Sequence, residues 1–168
     1  MGELRFDGRV AVVSGAGGGL GRDYALVLAA RGAKVVVNDL GTSRSGEGAD
    51  IGMAQQVVEE IRAAGGEAVA NGDTVATAEG AAAIVQTALD AFGRIDVLVH
   101  NATINRSGPF RDLTFEDFSA VLDVHLGGLG DGLAIDNALD GLGGTIGGLG
   151  DGDAPLQVAI LTNQLQAL

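Results

Sequence analysis

The stretch Val10-Ala11-Val12-Val13-Ser14-Gly15-Ala16-Gly17-Gly18-Gly19-Leu20-Gly21 decides the fold of this chain. Its apolar start predicts a buried strand, and the pattern from Asp23 to Ala30 predicts a helix. Glycines between such a strand and helix permit a tight turn, close approach of a pyrophosphate to the main chain, and close helix–strand packing. The stretch therefore predicts a dinucleotide-binding loop, and the alternative is a purely structural turn.

An acidic residue, Asp39, follows the next apolar run, Lys34 to Asn38. A carboxylate roughly 20 residues after such a loop accepts hydrogen bonds from the adenosine ribose hydroxyls and repels a 2′-phosphate. The loop and Asp39 together favour NAD over NADP as the cofactor. The alternative is that Asp39 is a solvated acid at the end of a strand.

Composition limits the classes of partner that the chain can have. Its 168 residues suffice for one domain, and the net charge is −12 with no Cys. Nucleic acids and anionic membranes attract basic surfaces, so neither is expected as a partner. No run approaches the roughly 18 apolar residues of a membrane helix, and the N-terminus has no apolar signal region. A cytoplasmic protein is the expectation.

The last part of the chain differs in character from the rest. No Lys or Arg follows Arg111, and glycine is dense from Gly127 to Gly152. Such an acidic, Gly-rich segment predicts a flexible linker. A Gly-Gly-Leu-Gly-Asp-Gly hexapeptide occurs there twice, but two copies do not make a calcium-binding repeat array. Two isolated His and scattered Asp give no ligand spacing, so no metal site is expected.

Apolar runs alternate with helical patterns through the first 126 residues. Strands are predicted at 9–13, 34–38, 68–70 and 95–99, and helices at 23–30, 51–64, 79–92 and from Thr114 onward. This alternation predicts an α/β fold, a Rossmann-like parallel sheet with helices on both faces. Ligands of such sheets bind at the carboxyl ends of the strands. Candidate residues that follow four strand ends are therefore expected to share one edge: Gly15–Gly21, Asp39, Asp73 and Asn101.

Three segments are predicted along the chain. Residues 1–126 form NAD-binding Rossmann-type βα units, 127–155 form the Gly/Asp-rich linker, and 156–168 form an extra strand or a tail. Apolar residues within Leu156–Thr162 suit a buried last strand.

The first 126 residues resemble the short-chain dehydrogenase/reductase family. The family motif Thr-Gly-x-x-x-Gly-x-Gly matches Ser14, Gly15, Gly19 and Gly21, with serine in place of threonine. Val36–Gly41 and the loop after it are similar to the hydroxyacyl-CoA dehydrogenase parts of peroxisomal multifunctional enzymes. The resemblance implies hydride transfer between NAD and an alcohol/carbonyl pair, including a hydroxyacyl thioester, on a fold that is incomplete here relative to the family.

The resemblance extends to the other strand ends. Asp73-Thr74-Val75 matches the segment that flanks the adenine, with an ordinary turn as the alternative for Asp73. Of the family's Asn-Asn-Ala-Gly, His100–Thr103 keeps Asn101 and Ala102; His100 is interpreted as a neutral substitution, and Asn101 contacts cofactor or caps a loop. The implied cofactor-binding residues are Ser14, Gly15, Gly17, Gly19, Leu20, Gly21, Asp39, Asp73, Thr74, Asn101 and Ala102.

The catalytic residues of the family have no match in this sequence. The family uses a Ser and a Tyr-x-x-x-Lys, in which the Tyr exchanges the proton and the Lys lowers its pKa. Tyr24 is the one Tyr here and Lys34 the one Lys, and both lie in the cofactor half. His125 occupies the place of a helix Asn of the family's catalytic tetrad, or is merely a helix-end residue.

The sequence therefore predicts a cofactor-binding half whose catalytic half is absent, and which is inactive alone. Two alternatives stay open. One is a non-enzymatic nucleotide-binding or interaction module, in which Leu156–Thr162 supplies a substitute fifth strand. The other is a frameshift or engineered product, because composition changes abruptly at Gly127. A homo-oligomer also stays open.

Overall fold

The computed structural model describes residues 4–127 and 157–160, and it contains one parallel sheet flanked by helices. The strands are β1 (Val10–Ser14), β2 (Lys34–Asn38), β3 (Glu67–Asn71), β4 (Val97–His100) and β5 (Gln157–Ile160). The helices are α1 (Gly19–Ala30), α2 (Gly52–Ala63), α3 (Ala78–Phe92) and α4 (Phe115–Leu122). A 3₁₀ turn (Phe110–Asp112) precedes α4, and a π turn (Asp123–Gly127) follows it. The strand order is β3-β2-β1-β4-β5.

Helices cover both faces of this sheet, which confirms the predicted Rossmann-like α/β fold. Successive side chains of β1 point to opposite faces. Ala11 and Val13 belong to a buried cluster with residues of α1 and α2, whereas Val10 and Val12 pack with residues of α3. Burial of each of these valine side chains stabilises the fold by about 1.5–3 kcal/mol. The continuous Val runs of β1 and β2 are thus explained by burial on both sides.

Helix α1 begins earlier than predicted, at Gly19 rather than Asp23. Glycine disfavours a helix interior, and the sequence pattern accordingly excludes the glycines. Tertiary packing overrides this preference, because Gly21 is buried where α1 passes β1 and its main chain must approach closely.

Strand β4 begins at Val97, later than the predicted Ile95. The Asp96 carboxylate accepts a hydrogen bond from Val10 N (2.8 Å) and forms an ion pair with Arg94. Asp96 N in turn donates to Val10 O at 2.8 Å. These contacts join the start of β4 to β1 before regular pairing begins.

Strand β5 lies parallel to β4, with Val97 opposite Gln157 and His100 opposite Ile160. Its bounds fall inside the predicted range Leu156–Thr162. The predicted linker from residue 128 onward and the tail after residue 160 lie outside the described residues, and the three-segment division stays a prediction. None of the helices in the described ranges is long and apolar enough to cross a membrane.

Candidate functional site

The carboxyl ends of β1, β2 and β4 bring three predicted site elements into direct contact. The glycine loop after β1 touches Asp39, which follows β2, and Asn101, which follows β4. Asp73 follows β3 and is joined to the end of β2 through Asn38. The strands β1–β4 are parallel in one sheet, so their carboxyl ends lie at the same edge, as expected from the sequence.

Close packing explains three glycines of the loop. A Cβ on Gly15, whose φ is +63°, would lie 2.8 Å from Ala102 Cα. A Cβ on Gly21 would overlap the Gly15 carbonyl and lie 2.6 Å from Asn101 Nδ2. A Cβ on Gly17 would lie 2.9 Å from the Asp39 carboxyl carbon. These positions leave no room for a side chain, so the loop rests directly on its neighbours.

The start of α1 is open, in contrast to those three glycines. Gly19 has a φ of +53°, and a Cβ there would meet no described atom within 4 Å. The N-cap is Gly18, which provides no side-chain hydrogen bond, and no acidic residue occupies the first turn. The N–H groups of a first helical turn have no partner within the helix and carry partial positive charge. Leu20 is exposed beside these N–H groups, and the N–H groups form a site that fits an anionic phosphate.

Asp39 is held in place by the main chain. Its Oδ2 accepts a hydrogen bond from Gly17 N at 2.7 Å, and its Oδ1 accepts one from Gly41 N at 2.7 Å. The residue is half-buried, so it is more than a solvated acid at a strand end. Each carboxylate oxygen retains further acceptor capacity. The fixed carboxylate can therefore accept hydrogen bonds from the hydroxyls of a ligand.

Asn101 and Ala102 bind the glycine loop. Asn101 Nδ2 donates to the carbonyl oxygens of Ser14 (3.2 Å) and Gly15 (3.1 Å). The backbone N–H groups of Asn101 and Ala102 both donate to Ser14 Oγ, each at 3.1 Å. From the sequence, Asn101 has two alternative roles, contact with the cofactor or capping of a loop. Its contacts within the chain are those of a residue that caps the loop.

Asp73 and Thr74 lie in a turn that is fastened to the ends of β2 and β3. Asn38 Nδ2 donates to Asn71 Oδ1 and to the Asp73 carbonyl, both at 2.8 Å. Asn71 Nδ2 donates to Asp73 Oδ2 at 2.7 Å, and Thr74 Oγ1 accepts from Ala76 N at 3.1 Å. Sequence reasoning missed Asn38 and Asn71. The signal that could have indicated them is that each is a polar residue at the end of an otherwise apolar strand.

His100 is buried at the end of β4, with both ring nitrogens in contact with polar atoms. Nδ1 lies 3.2 Å from Ser14 Oγ, and Nε2 lies 3.1 Å from the Val124 carbonyl oxygen. Burial lowers the pKa of the imidazole from its usual 6.5, because the charged form would lose its hydration. The interpretation of His100 as a neutral substitution did not include these contacts with Ser14 and with the Val124 carbonyl.

His125 lies in the π turn itself, where its Nε2 donates to the Ile104 carbonyl at 3.1 Å. Tyr24 is half-buried on α1 against the core. Lys34 begins β2, at the amino edge of the sheet, and its Nζ forms a 2.9 Å ion pair with Glu67. Lys34 is therefore at the opposite edge from the glycine loop.

Residues 9–134 match the profile of the family described as short chain dehydrogenase. The chain belongs to this family. The chain is 61% identical over 120 residues to a short-chain type dehydrogenase/reductase of Mycobacterium tuberculosis, covering 71% of this chain and 42% of the relative. It is 56% identical over 127 residues to the peroxisomal multifunctional enzyme type 2 of Drosophila melanogaster, covering 76% of this chain and 21% of that enzyme.

Solved structures of the family share the fold. A short chain dehydrogenase/reductase from Burkholderia phymatum, in complex with NAD, superimposes with a TM-score of 0.69 at 30% identity. The match covers 83% of this chain and 45% of that one. The chain thus spans less than half the length of each of these three relatives.

Proposed function

We propose that this chain binds NAD(H) at the carboxyl edge of its sheet, as the cofactor-binding part of an NAD-dependent dehydrogenase. The parent reaction is hydride transfer between NAD and an alcohol/carbonyl pair. The resemblance of Val36–Gly41 to hydroxyacyl-CoA dehydrogenase parts of peroxisomal multifunctional enzymes supports a hydroxyacyl thioester as the substrate class, and the chain is similar to one peroxisomal multifunctional enzyme. The relative from Burkholderia phymatum, solved with NAD, supports the cofactor.

One observation carries the proposal: the open start of α1 lies beside an acid fixed to the same loop. Gly17 N donates to Asp39, while the helix that begins at Gly19 has no acidic side chain in its first turn. A dinucleotide has an anionic pyrophosphate and a ribose with two adjacent hydroxyls. The pyrophosphate would bind the N–H groups at the start of α1, and the ribose hydroxyls would donate to the Asp39 carboxylate.

Each residue of the site has a role in this proposal. The loop residues Gly15, Gly19, Leu20 and Gly21 line the pyrophosphate position, Gly17 fixes the loop by donating its N–H to Asp39, and Asp39 accepts from the adenosine ribose. Asp73 and Thr74 border the adenine. Ser14, Asn101 and Ala102 hold the loop against β4.

Bound NAD supplies the acceptor or donor of the hydride, and the residues described here bind and orient it. Proton exchange with a substrate needs a further group. Lys34 is ion-paired with Glu67 at the other edge of the sheet, and Tyr24 packs on the core. We therefore expect the purified chain to bind cofactor without turning over substrate. His125 is the candidate for a helix position of the family's catalytic set, a role that this chain alone does not exercise.

Calorimetric titration with NAD+, NADH and NADP+ tests the proposal. Heat of binding with NAD+ and NADH, and weaker binding of NADP+, supports it. Absence of binding up to millimolar cofactor would overturn it. A coupled assay with alcohol and hydroxyacyl thioester substrates tests the second part, since real dehydrogenase activity of the purified chain contradicts binding without turnover.

The second candidate function is a non-enzymatic module that binds a nucleotide or a partner. The observation in its favour is β5, which extends the sheet beyond β4 in the register Val99 to Ala159. Hydrogen exchange distinguishes the two candidates. Slow exchange across 157–160 in the free chain favours a module that completes its own sheet, whereas fast exchange there removes the support for it.

A further inference from the structure

Three hydrogen bonds meet at the hydroxyl of Ser14. A serine hydroxyl has one hydrogen to donate and two lone pairs to accept with. The N–H groups of Asn101 and Ala102 both donate to Ser14 Oγ, at 3.1 Å each, and use the lone pairs. The hydroxyl hydrogen is then directed to its third neighbour, Nδ1 of His100, at 3.2 Å.

This arrangement determines which nitrogen of His100 carries the proton. Nδ1 accepts from Ser14 and is therefore unprotonated. Nε2 then carries the hydrogen of the neutral ring and donates to the Val124 carbonyl at 3.1 Å. His100 is 7% exposed, and its bond to Ser14 is buried and shielded from competing water, whereas its bond to the Val124 carbonyl is partly buried.

The chain of bonds joins two parts of the site that are distant in sequence. Ser14 and His100 are separated by 86 positions, and Ser14 begins the glycine loop. Val124 belongs to the π turn Asp123–Gly127, in which the next residue is His125. His125 also bonds the Ile104 carbonyl, so the π turn is attached both to the last residue of β4 and to the segment after β4.

We propose that His100 is a positioning residue that ties the glycine loop to the π turn carrying His125. The inference rests on the proposed NAD site, because it says how that loop is held in register with the next part of the site. His100 touches neither cofactor nor substrate in this proposal. It acts through Ser14 on one side and through the Val124 carbonyl on the other.

Side-chain length explains why histidine suits this position. An Asn at position 100, as in the family motif, places a polar atom where Nδ1 stands and can reach Ser14, but it ends before the Val124 carbonyl. A Gln places an amide nitrogen near the position of Nε2 and can reach Val124. His100→Asn and His100→Gln therefore form a matched pair that separates the two bonds.

The tautomer is the direct test, and it needs no cofactor. Long-range ¹H–¹⁵N NMR of the histidine side chains at neutral pH is expected to show His100 protonated at Nε2 and bare at Nδ1. The opposite tautomer, or a ring that is charged at neutral pH, would overturn the proposal.

Hydrogen exchange and cofactor binding provide the second test. In H100N we expect exchange across residues 123–127 to rise about five- to tenfold, the size of one lost hydrogen bond, and NADH to bind more weakly. In H100Q we expect exchange there to stay near the wild-type rate. Equal exchange and equal affinity in wild type and H100N would refute a positioning role.

The two proposals fail in distinguishable ways. If the wild-type chain binds no NAD(H) but shows the Nε2–H tautomer and the H100N exchange difference, the link exists and the proposed function is wrong. If NAD(H) binds and the exchange rates do not differ, the link is wrong. Should H100N not fold, the wild-type tautomer and the H100Q exchange rates still decide the question.

Discussion

The backbone N–H of Gly17 donates to Oδ2 of Asp39 across 2.7 Å, so the acid that follows β2 holds the middle of the loop that follows β1. Asp39 fixes the main chain of the loop, and in the proposed NAD complex its remaining lone pairs would accept from the ribose hydroxyls. A change at position 39 is expected to affect both the selectivity for the cofactor and the order of the loop.

Asp39→Asn should shift the preference from NAD+ toward NADP+. Two like charges about 4 Å apart repel by roughly 1–4 kcal/mol near a protein surface, and the substitution removes that repulsion of a 2′-phosphate. We expect the ratio of NADP+ to NAD+ affinity to rise about tenfold, measured by calorimetry. Asp90→Asn removes the same charge from an exposed position on α3 and should leave the ratio unchanged. An unchanged ratio in Asp39→Asn would argue against ribose binding at Asp39.

Gly21→Ala should abolish NAD(H) binding, with affinity reduced at least about a hundredfold. The new Cβ would overlap the Gly15 carbonyl and lie 2.6 Å from Asn101 Nδ2, so the loop or α1 must move. Gly108→Ala is the matched control, because its Cβ would lie 3.8 Å from Leu113 and needs no rearrangement. Titration of both variants, with circular dichroism to verify folding, checks the prediction. Wild-type affinity in Gly21→Ala would contradict the loop geometry.

Stability should fall through His100 as the pH decreases below 6.5, the usual pKa of the imidazole. Its pKa is lowered by burial in the folded state, so below the usual value of 6.5 the unfolded chain binds a proton that the folded chain does not. The folded state is therefore favoured at high pH, and this advantage is lost as the pH falls through 6.5 toward the lowered pKa. Urea unfolding at a series of pH values should show this slope, and H100N should reduce it. Identical slopes for wild type and H100N would assign the effect to other groups.

Thr114→Ala should loosen α4. Thr114 Oγ1 accepts from Asp117 N at 3.1 Å, and the Asp117 side chain accepts from Thr114 N at 3.1 Å, which makes a capping box. Loss of the hydroxyl cap is expected to cost about 1 kcal/mol locally. Exchange across Phe115–Leu122 should accelerate about fivefold, while an exposed threonine changed in parallel, Thr103→Ala, should leave it unaltered.

Asn71→Ala should destabilise the whole domain by about 1–3 kcal/mol, because the buried Asn38 amide would lose its partner and the exposed Asp73 carboxylate would lose a hydrogen bond. Denaturant unfolding measures the cost, and Asn105→Ala, at an exposed asparagine, is the control. NAD(H) affinity should fall as well, since the same bonds hold the turn that borders the proposed adenine position. A loss of stability without any loss of affinity would separate Asn71 from the site.

The sequence predicted the layers of the fold well, because strands that are buried on both faces of a sheet are continuous runs of apolar residues. The Val run of β2 was assigned with its observed bounds, Lys34–Asn38, and the end of α3 falls at Phe92 before a left-handed Gly93. The start of α1 was misplaced, since helix propensity argues against glycine while close packing at Gly21 requires it.

The candidate site was predicted only as a set of positions. Parallel strands must end at one edge, and that rule suffices to group Asp39, Asp73 and Asn101 with the glycine loop. The bonds among them could not be predicted. The link from Ser14 to His100 joins residues 86 positions apart, and neither periodicity nor spacing encodes a contact between side chains of separate strands.

The ion pair between Lys34 and Glu67 has a practical consequence. Lys34 is the one lysine of the chain, and its side chain, 39% exposed, stands at the edge of the sheet opposite the glycine loop. A fluorophore or surface tether attached to the lysine amine would thus face away from the open start of α1. Immobilisation through the Lys34 amine should leave the edge of the sheet that carries the glycine loop facing the solution.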